Sequence, residues 1–190
     1  MTEPGPSCTA FLGTRRLASG EPGSVALAIR ALPEGSGPVL VFDDRTGRMM
    51  DFDLRGSEAE VLARLAPPAA APRGPGRPRL GVVAREVTLL PRHWDWLAAQ
   101  PGGASVVLRK LVEAARAAGT DRARQAREAA DRFMGAMAGN EPGYEEASRA
   151  LYAGDGARFA ALTEGWPADV RDHARRLAAE GIAAAECPAG

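Results

Sequence analysis

The spacing of apolar positions changes character along the chain, and the first third favours short strands and helices in turn. Residues 9–12 and 15–19 flank Gly13-Thr14, which predicts a tight hairpin. Val25, Ala28, Ile29 and Leu32 recur at helical spacing, and Pro22 suits a first turn, so a helix is predicted over residues 22–32. Pro38, Val39, Leu40, Val41 and Phe42 form a continuous apolar run, the pattern of a buried strand. Met50, Phe52 and Leu54 alternate with Asp51, Asp53 and Arg55, the pattern of a half-buried strand, with residues 43–47 as the turn between the two. Ser57 and Glu60 make a capping box for a helix carrying Val61, Leu62 and Leu65. The predicted order is β-β-α-β-β-α.

Residues 66–79, APPAAAPRGPGRPR, have no apolar period and read as a flexible, partly polyproline linker. A different pattern follows over residues 80–119. Val87, Thr88, Leu89 and Leu90 suit a short strand, which Pro91 ends because it cannot donate to a ladder. Trp94, Leu97 and Ala98 then share one face of a short helix, stopped by Pro101, Gly102 and Gly103. Ser105 is a suitable N-cap for a second helix. In it Leu108, Leu111, Val112 and Ala115 form a stripe, with Arg109, Lys110, Glu113 and Arg116 outside it and Gly119 as C-cap.

Residues 120–185 read as all helical. Gly139, Gly154, Gly165 and Gly181 mark stops, and Pro142 and Pro167 mark starts. Phe133, Met134 and Met137 line one helix, and Val170, Ala174 and Leu177 line the last. Leu151, Tyr152, Phe159, Leu162 and Trp166 are expected to pack beneath the short helices between them. These positions read as core rather than as a cofactor box. The expected class is α+β: a small α/β domain at 8–65, a linker at 66–79, a strand-helix-helix segment at 80–119 and a helical region at 120–185.

Composition narrows the chemistry. Lys110 is the only lysine among 24 basic residues, and Ala, Gly and Pro abound, as a G+C-rich bacterial genome would encode. No run of about 18 apolar residues occurs, so no membrane span is expected. The first ten residues lack a basic region and an apolar core, so no secretion signal is expected. Cys8 and Cys187 make no disulfide framework, and a reducing cytoplasm is the expected location. His93 and His173 have no neighbouring cysteine or metal-ligand spacing, and surface or cap roles are expected for both. Asp43, Asp44, Asp51 and Asp53 could meet across a hairpin, but turn and solvent-face roles are the ordinary ones. Phosphate-loop, nucleophile-elbow and complete dinucleotide motifs are absent. The expectation is no enzyme, no cofactor and no metal.

Charge is uneven along a chain that is neutral overall. Residues 73–116 hold eight basic and three acidic side chains, while both flanks are net acidic. A basic centre of this kind suits contact with phosphate. The strand-helix-helix order of residues 85–118 resembles the ribbon-helix-helix class of dimeric DNA-binding domains. That resemblance implies a homodimer on double-stranded DNA, with Arg77, Arg79, Arg85, Thr88, Arg92, Ser105, Arg109 and Lys110 as the candidate contacts. Neither strand register presents the row of polar side chains that reads base edges. Gly76-Arg77-Pro78, flanked by Arg73 and Arg79, looks like an AT-hook.

The run GRPRLGVVAREVTLLPRHWDWLAAQPGGAS, the VLVFDDRTGR hairpin and the YEEASRALYAGD helix resemble a bacterial family known as domain of unknown function 2239. The likeness runs from Phe11 to about Leu177 and implies no assigned activity, cofactor or site. Two functional expectations therefore stand. One is a dimeric DNA-binding regulator. The other is a non-catalytic interaction protein that uses the same helices on a protein partner.

Overall fold

The computed structural model describes residues 5–66, 85–117 and 120–186. Strand β1 (Cys8–Leu12) is central, pairing antiparallel with β2 (Arg15–Gly20) on one side and β3 (Val39–Asp43) on the other. Strand β4 (Met49–Met50) completes the sheet in the order β2-β1-β3-β4. Gly13 turns the expected hairpin with φ of 58°, a conformation that costs glycine little. Side chains alternate across the pleat. Cys8, Ala10 and Val41 therefore join Val25 in one cluster, while Phe11 and Phe42 join Phe133 and Met134 in another. β1 is buried on both faces, and the predicted apolar run forms β3, whose Val41 and Phe42 are buried on opposite faces.

Helix α1 (Pro22–Arg30) stops two residues short of the expected end, because Leu32 precedes Pro33 and is pushed out of the helical region. Helix α2 (Glu58–Leu65) carries the expected capping box, with Ser57 Oγ accepting from the Glu60 amide and Glu60 accepting from the Ser57 amide at 2.7 Å. The expected strand over residues 50–55 is the main difference in this region, since pairing ends at Met50. Guanidinium groups take the carbonyls a ladder would have used. Arg30 donates to Leu54 O and Gly56 O, and Arg64 donates to Asp53 O and Arg55 O.

The helical region comprises α5 (Thr120–Met137), α6 (Tyr144–Ala153), α7 (Gly156–Thr163) and α8 (Ala168–Glu186). Its helices share a core with the sheet. Phe133, Met134, Leu151, Phe159, Trp166 and Val170 are buried in the cluster that holds Phe11 and Phe42. Residues 1–66 and 119–190 accordingly form one compact unit, and residues 67–118 a second. Gly154 ends α6 in the left-handed conformation, as a stop should. Gly181 corrects the expectation, because it lies inside α8 and stops nothing. A Cβ there would stand 2.6 Å from Arg127 Cγ and 3.0 Å from Ala123 O, so the glycine serves the close crossing of α5 and α8. Tyr152 also differs: half of it is exposed, and its hydroxyl donates to Asp131 at 3.3 Å.

In the second unit, α3 (Pro91–Ala98) begins at Pro91 as expected and packs on α4 (Gly103–Ala117). Residues 85–90 pair with no strand among the described residues, where the sequence pattern suggested one. The expected linker and the AT-hook-like element lie outside the described residues, apart from Ala66.

Candidate functional site

Two places hold side chains that the fold alone does not explain. The first is the surface of residues 85–117. Six of the candidate contacts, Arg85, Thr88, Arg92, Ser105, Arg109 and Lys110, are exposed on this one unit, whereas Arg77 and Arg79 lie outside the described residues. Arg92 sits in the first turn of α3, and Arg109 and Lys110 are adjacent on α4. The Arg109 Nε donates to Ser105 O at 3.0 Å, one turn back along the helix.

Ser105 does not cap α4. Gly102 and Gly103, at φ of 94° and 74°, turn the chain so that the helix starts at Gly103 and Ser105 lies within its first turn. Ser105→Ala is therefore expected to change stability by less than about 0.5 kcal/mol in a thermal melt, well below the usual loss for a cap.

Apolar side chains surround the basic ones. Among residues 85–115, Leu97 is the only buried side chain, at 3% exposure. Val87, Leu90, Trp94, Trp96, Leu111 and Val112 are all exposed, Trp96 by 52% and Val112 by 57%. One buried leucine is far less apolar burial than a pair of helices needs to stay folded.

The second place is a polar cluster where α8 meets the sheet. His173 was expected at the surface, but it is 1% exposed. Its ring lies 5.3 Å from Phe11 and 4.4 Å from Phe133 between centroids. The Arg176 Nη2 lies 3.1 Å from Nδ1 and has only protons to offer, so Nδ1 accepts and Nε2 carries the imidazole hydrogen. Among the described residues Nε2 has no hydrogen-bond partner, and it stands 3.8 Å from Asp44 Oδ1. Burial, then the Arg176 charge, pushes the His173 pKa down to about 4, against a smaller upward pull from Asp44.

Asp44 follows β3, and its side chain is 10% exposed. It accepts from Ser7 Oγ at 2.6 Å, from Thr9 Oγ1 at 2.8 Å and from Arg176 Nη2 at 2.8 Å. Burial works to raise its pKa, but these donors together outweigh burial and hold the carboxyl below its ordinary range. Cys8 is buried nearby, and burial followed by the Asp44 and Asp43 charges pushes its thiol up to about 11. A thiol so protonated is a poor nucleophile.

Two of the other acidic residues considered for a cation are occupied. Asp43 accepts from the Arg45 and Thr46 amides in its turn, and Asp53 is paired with Arg55. Among the described residues, no three His, Cys, Asp or Glu side chains are grouped to hold a metal ion. Nor is any helix there long and apolar enough to cross a membrane.

One signal for His173 was present in the sequence. Val170, His173, Ala174 and Leu177 fall at helical spacing, so the histidine shares the apolar face of its helix. Its partner Asp44 is 129 positions away, and no local pattern links the two.

No curated protein and no solved structure is detectably similar to this chain. A family model does match residues 7–178, nearly the whole sequence. The chain belongs to that family, DUF2239, described as an uncharacterized protein conserved in bacteria.

Proposed function

For this member of a bacterial family, we propose a homodimeric DNA-binding regulator that works through residues 85–117. The observation that carries the reading is that Val87, Leu90, Trp94, Trp96, Leu111 and Val112 are exposed on the same unit as the exposed Arg85, Arg92, Arg109 and Lys110. A second copy laid antiparallel along residues 85–90 would pair backbone that no strand among the described residues pairs, and would cover exposed apolar side chains. The basic side chains would then occur twice on one assembly, spaced by its two-fold axis. Phosphate contacts of this kind position a protein on DNA without reading sequence.

Sedimentation should find a dimer at micromolar concentration. Leu90→Glu should shift it to monomer, because the substitution places a charge in the covered face. Fluorescence anisotropy with duplex DNA at about 50 mM salt should show binding that weakens steeply as salt rises. Replacing Arg109 and Lys110 by alanine should flatten the salt slope by about one unit per lost phosphate contact. A monomer with no DNA affinity at tens of micromolar would overturn the reading.

A protein partner on the same helices is the second reading. The exposed Trp94 and Trp96 favour it, since tryptophan and arginine are over-represented where binding energy concentrates. Binding that barely responds to salt would distinguish it from phosphate contact.

A further inference from the structure

The buried polar cluster of the first unit is independent of the proposed DNA surface. We propose that His173, Asp44 and Arg176 form an acid-operated latch, in which a proton taken up by the buried imidazole expels the Arg176 guanidinium and loosens α8 from the sheet.

The geometry allows only one arrangement in the neutral state. Nδ1 accepts from Arg176 at 3.1 Å, and Nε2 is buried with no hydrogen-bond partner among the described residues, facing Asp44 Oδ1 at 3.8 Å. Protonating Nδ1 turns that acceptor into a donor. Two cations then stand 3.1 Å apart, and the contact becomes repulsive. Arg176 is half exposed and can swing into water, whereas His173 is held between Phe11 and Phe133. The imidazolium is drawn to Asp44, which Arg176 also holds.

Among the described residues, three charged groups act on His173. Arg176 from α8 and Arg16 from β2 oppose protonation, and Asp44 from the end of β3 favours it. The side chains that β1 and α5 stack on its ring, Phe11 and Phe133, do not titrate. Opening would also release the backbone of β2, an edge strand. The Arg16 amide donates to Asp169, on the first turn of α8, at 2.8 Å.

The sign follows from linkage. A histidine that is harder to protonate when folded favours the closed state fully above its ordinary value of 6.5, and loses that preference as the pH falls to about 4. Across that window, opening of α8 is expected to become easier by up to roughly 300-fold, the ratio of the two proton affinities.

The test is hydrogen exchange on the full chain between pH 7 and 4, corrected for intrinsic rates, with NMR titration of the imidazole. The expected result is a His173 signal titrating near 4, with α8 amides losing protection in the same window while α6 amides keep theirs. His173→Phe should keep α8 protected. Arg176→Gln, which removes the competing cation but leaves the burial, should raise the His173 titration point part of the way towards 6.5 and shrink the acid-driven loss of α8 protection. An imidazole titrating near 6.5, or α8 protection that falls as far in His173→Phe as in the wild type, would overturn the proposal.

Discussion

Adding one methyl group at Gly47 is expected to lower the melting temperature by roughly 6–15 °C, a loss of about 3 kcal/mol or more. Two costs combine there. Gly47 has φ of 64°, a left-handed conformation that side chains adopt at a penalty of about 1 kcal/mol or more. A Cβ would also fall 2.0 Å from Ala129 O and 2.8 Å from Ala129 Cα, on the backbone of α5. Backbone in a packed helix cannot step aside as a flexible side chain can. The turn is held on the same side by Arg132, which donates to Thr46 O at 2.9 Å, so it cannot lift away without losing that bond. Gly13→Ala supplies the control. Gly13 has nearly the same φ, 58°, but nothing within 4 Å of its Cβ position, so it carries the conformational cost without the collision. If Gly13→Ala and Gly47→Ala melt at the same temperature, the close approach of the β3-β4 turn to α5 is wrong.

Gly47 also shows which features the sequence makes legible. Its position in a turn is readable from Asp43, Asp44 and the two strands around it. Its contact with α5 is not, because Ala129 lies more than 80 positions away and no local period encodes it. The same division runs through the molecule. The hairpin at Gly13, the start of α3 at Pro91 and the capping box at Ser57 are all local devices, and each appears where the residues suggest. The expected strand over residues 50–55 ends early because Arg30 and Arg64, on neighbouring helices, claim its carbonyls. Gly181 reads as a stop by composition, but it is needed where two helices cross. His173 was assigned to the surface from its polar neighbours in sequence, although its period of three and four places it on an apolar face. The candidate contacts on residues 85–117 were legible as a charge pattern. The exposed apolar side chains on the same unit have no such local signature, because their helical period alone reads as a buried face.

Asp44→Ala is expected to be the most destabilising change in the polar cluster, at roughly 2–4 kcal/mol, or about 5–15 °C in melting temperature. The carboxylate accepts from Ser7, Thr9 and Arg176, and removing it leaves three donors, two beside or in β1 and one on α8, without their acceptor. Thr9 is fully buried and keeps a bond to Ser19 at 2.8 Å, so part of its cost is recovered. Arg176 would then face His173 with no anion between them, and its charge can escape only by leaving the cluster. Arg176→Ala made on the Asp44→Ala background should therefore cost little more, whereas in the wild type it should cost clearly more. That difference measures their coupling. The pH dependence has a definite sign. A carboxyl held below its ordinary value of 3.8 stabilises the fold fully above that value and loses its contribution as acid protonates it. The gap between wild type and Asp44→Ala should stay constant from neutral pH down to about 4, once the common effect of His173 is removed by making both chains in the His173→Phe background, and should narrow only below that. A gap that already closes between pH 6.5 and 5 in that background would mean that Asp44 is not held ionised in the folded chain, and that its ion pair with Arg176 does not fasten α8 to the sheet.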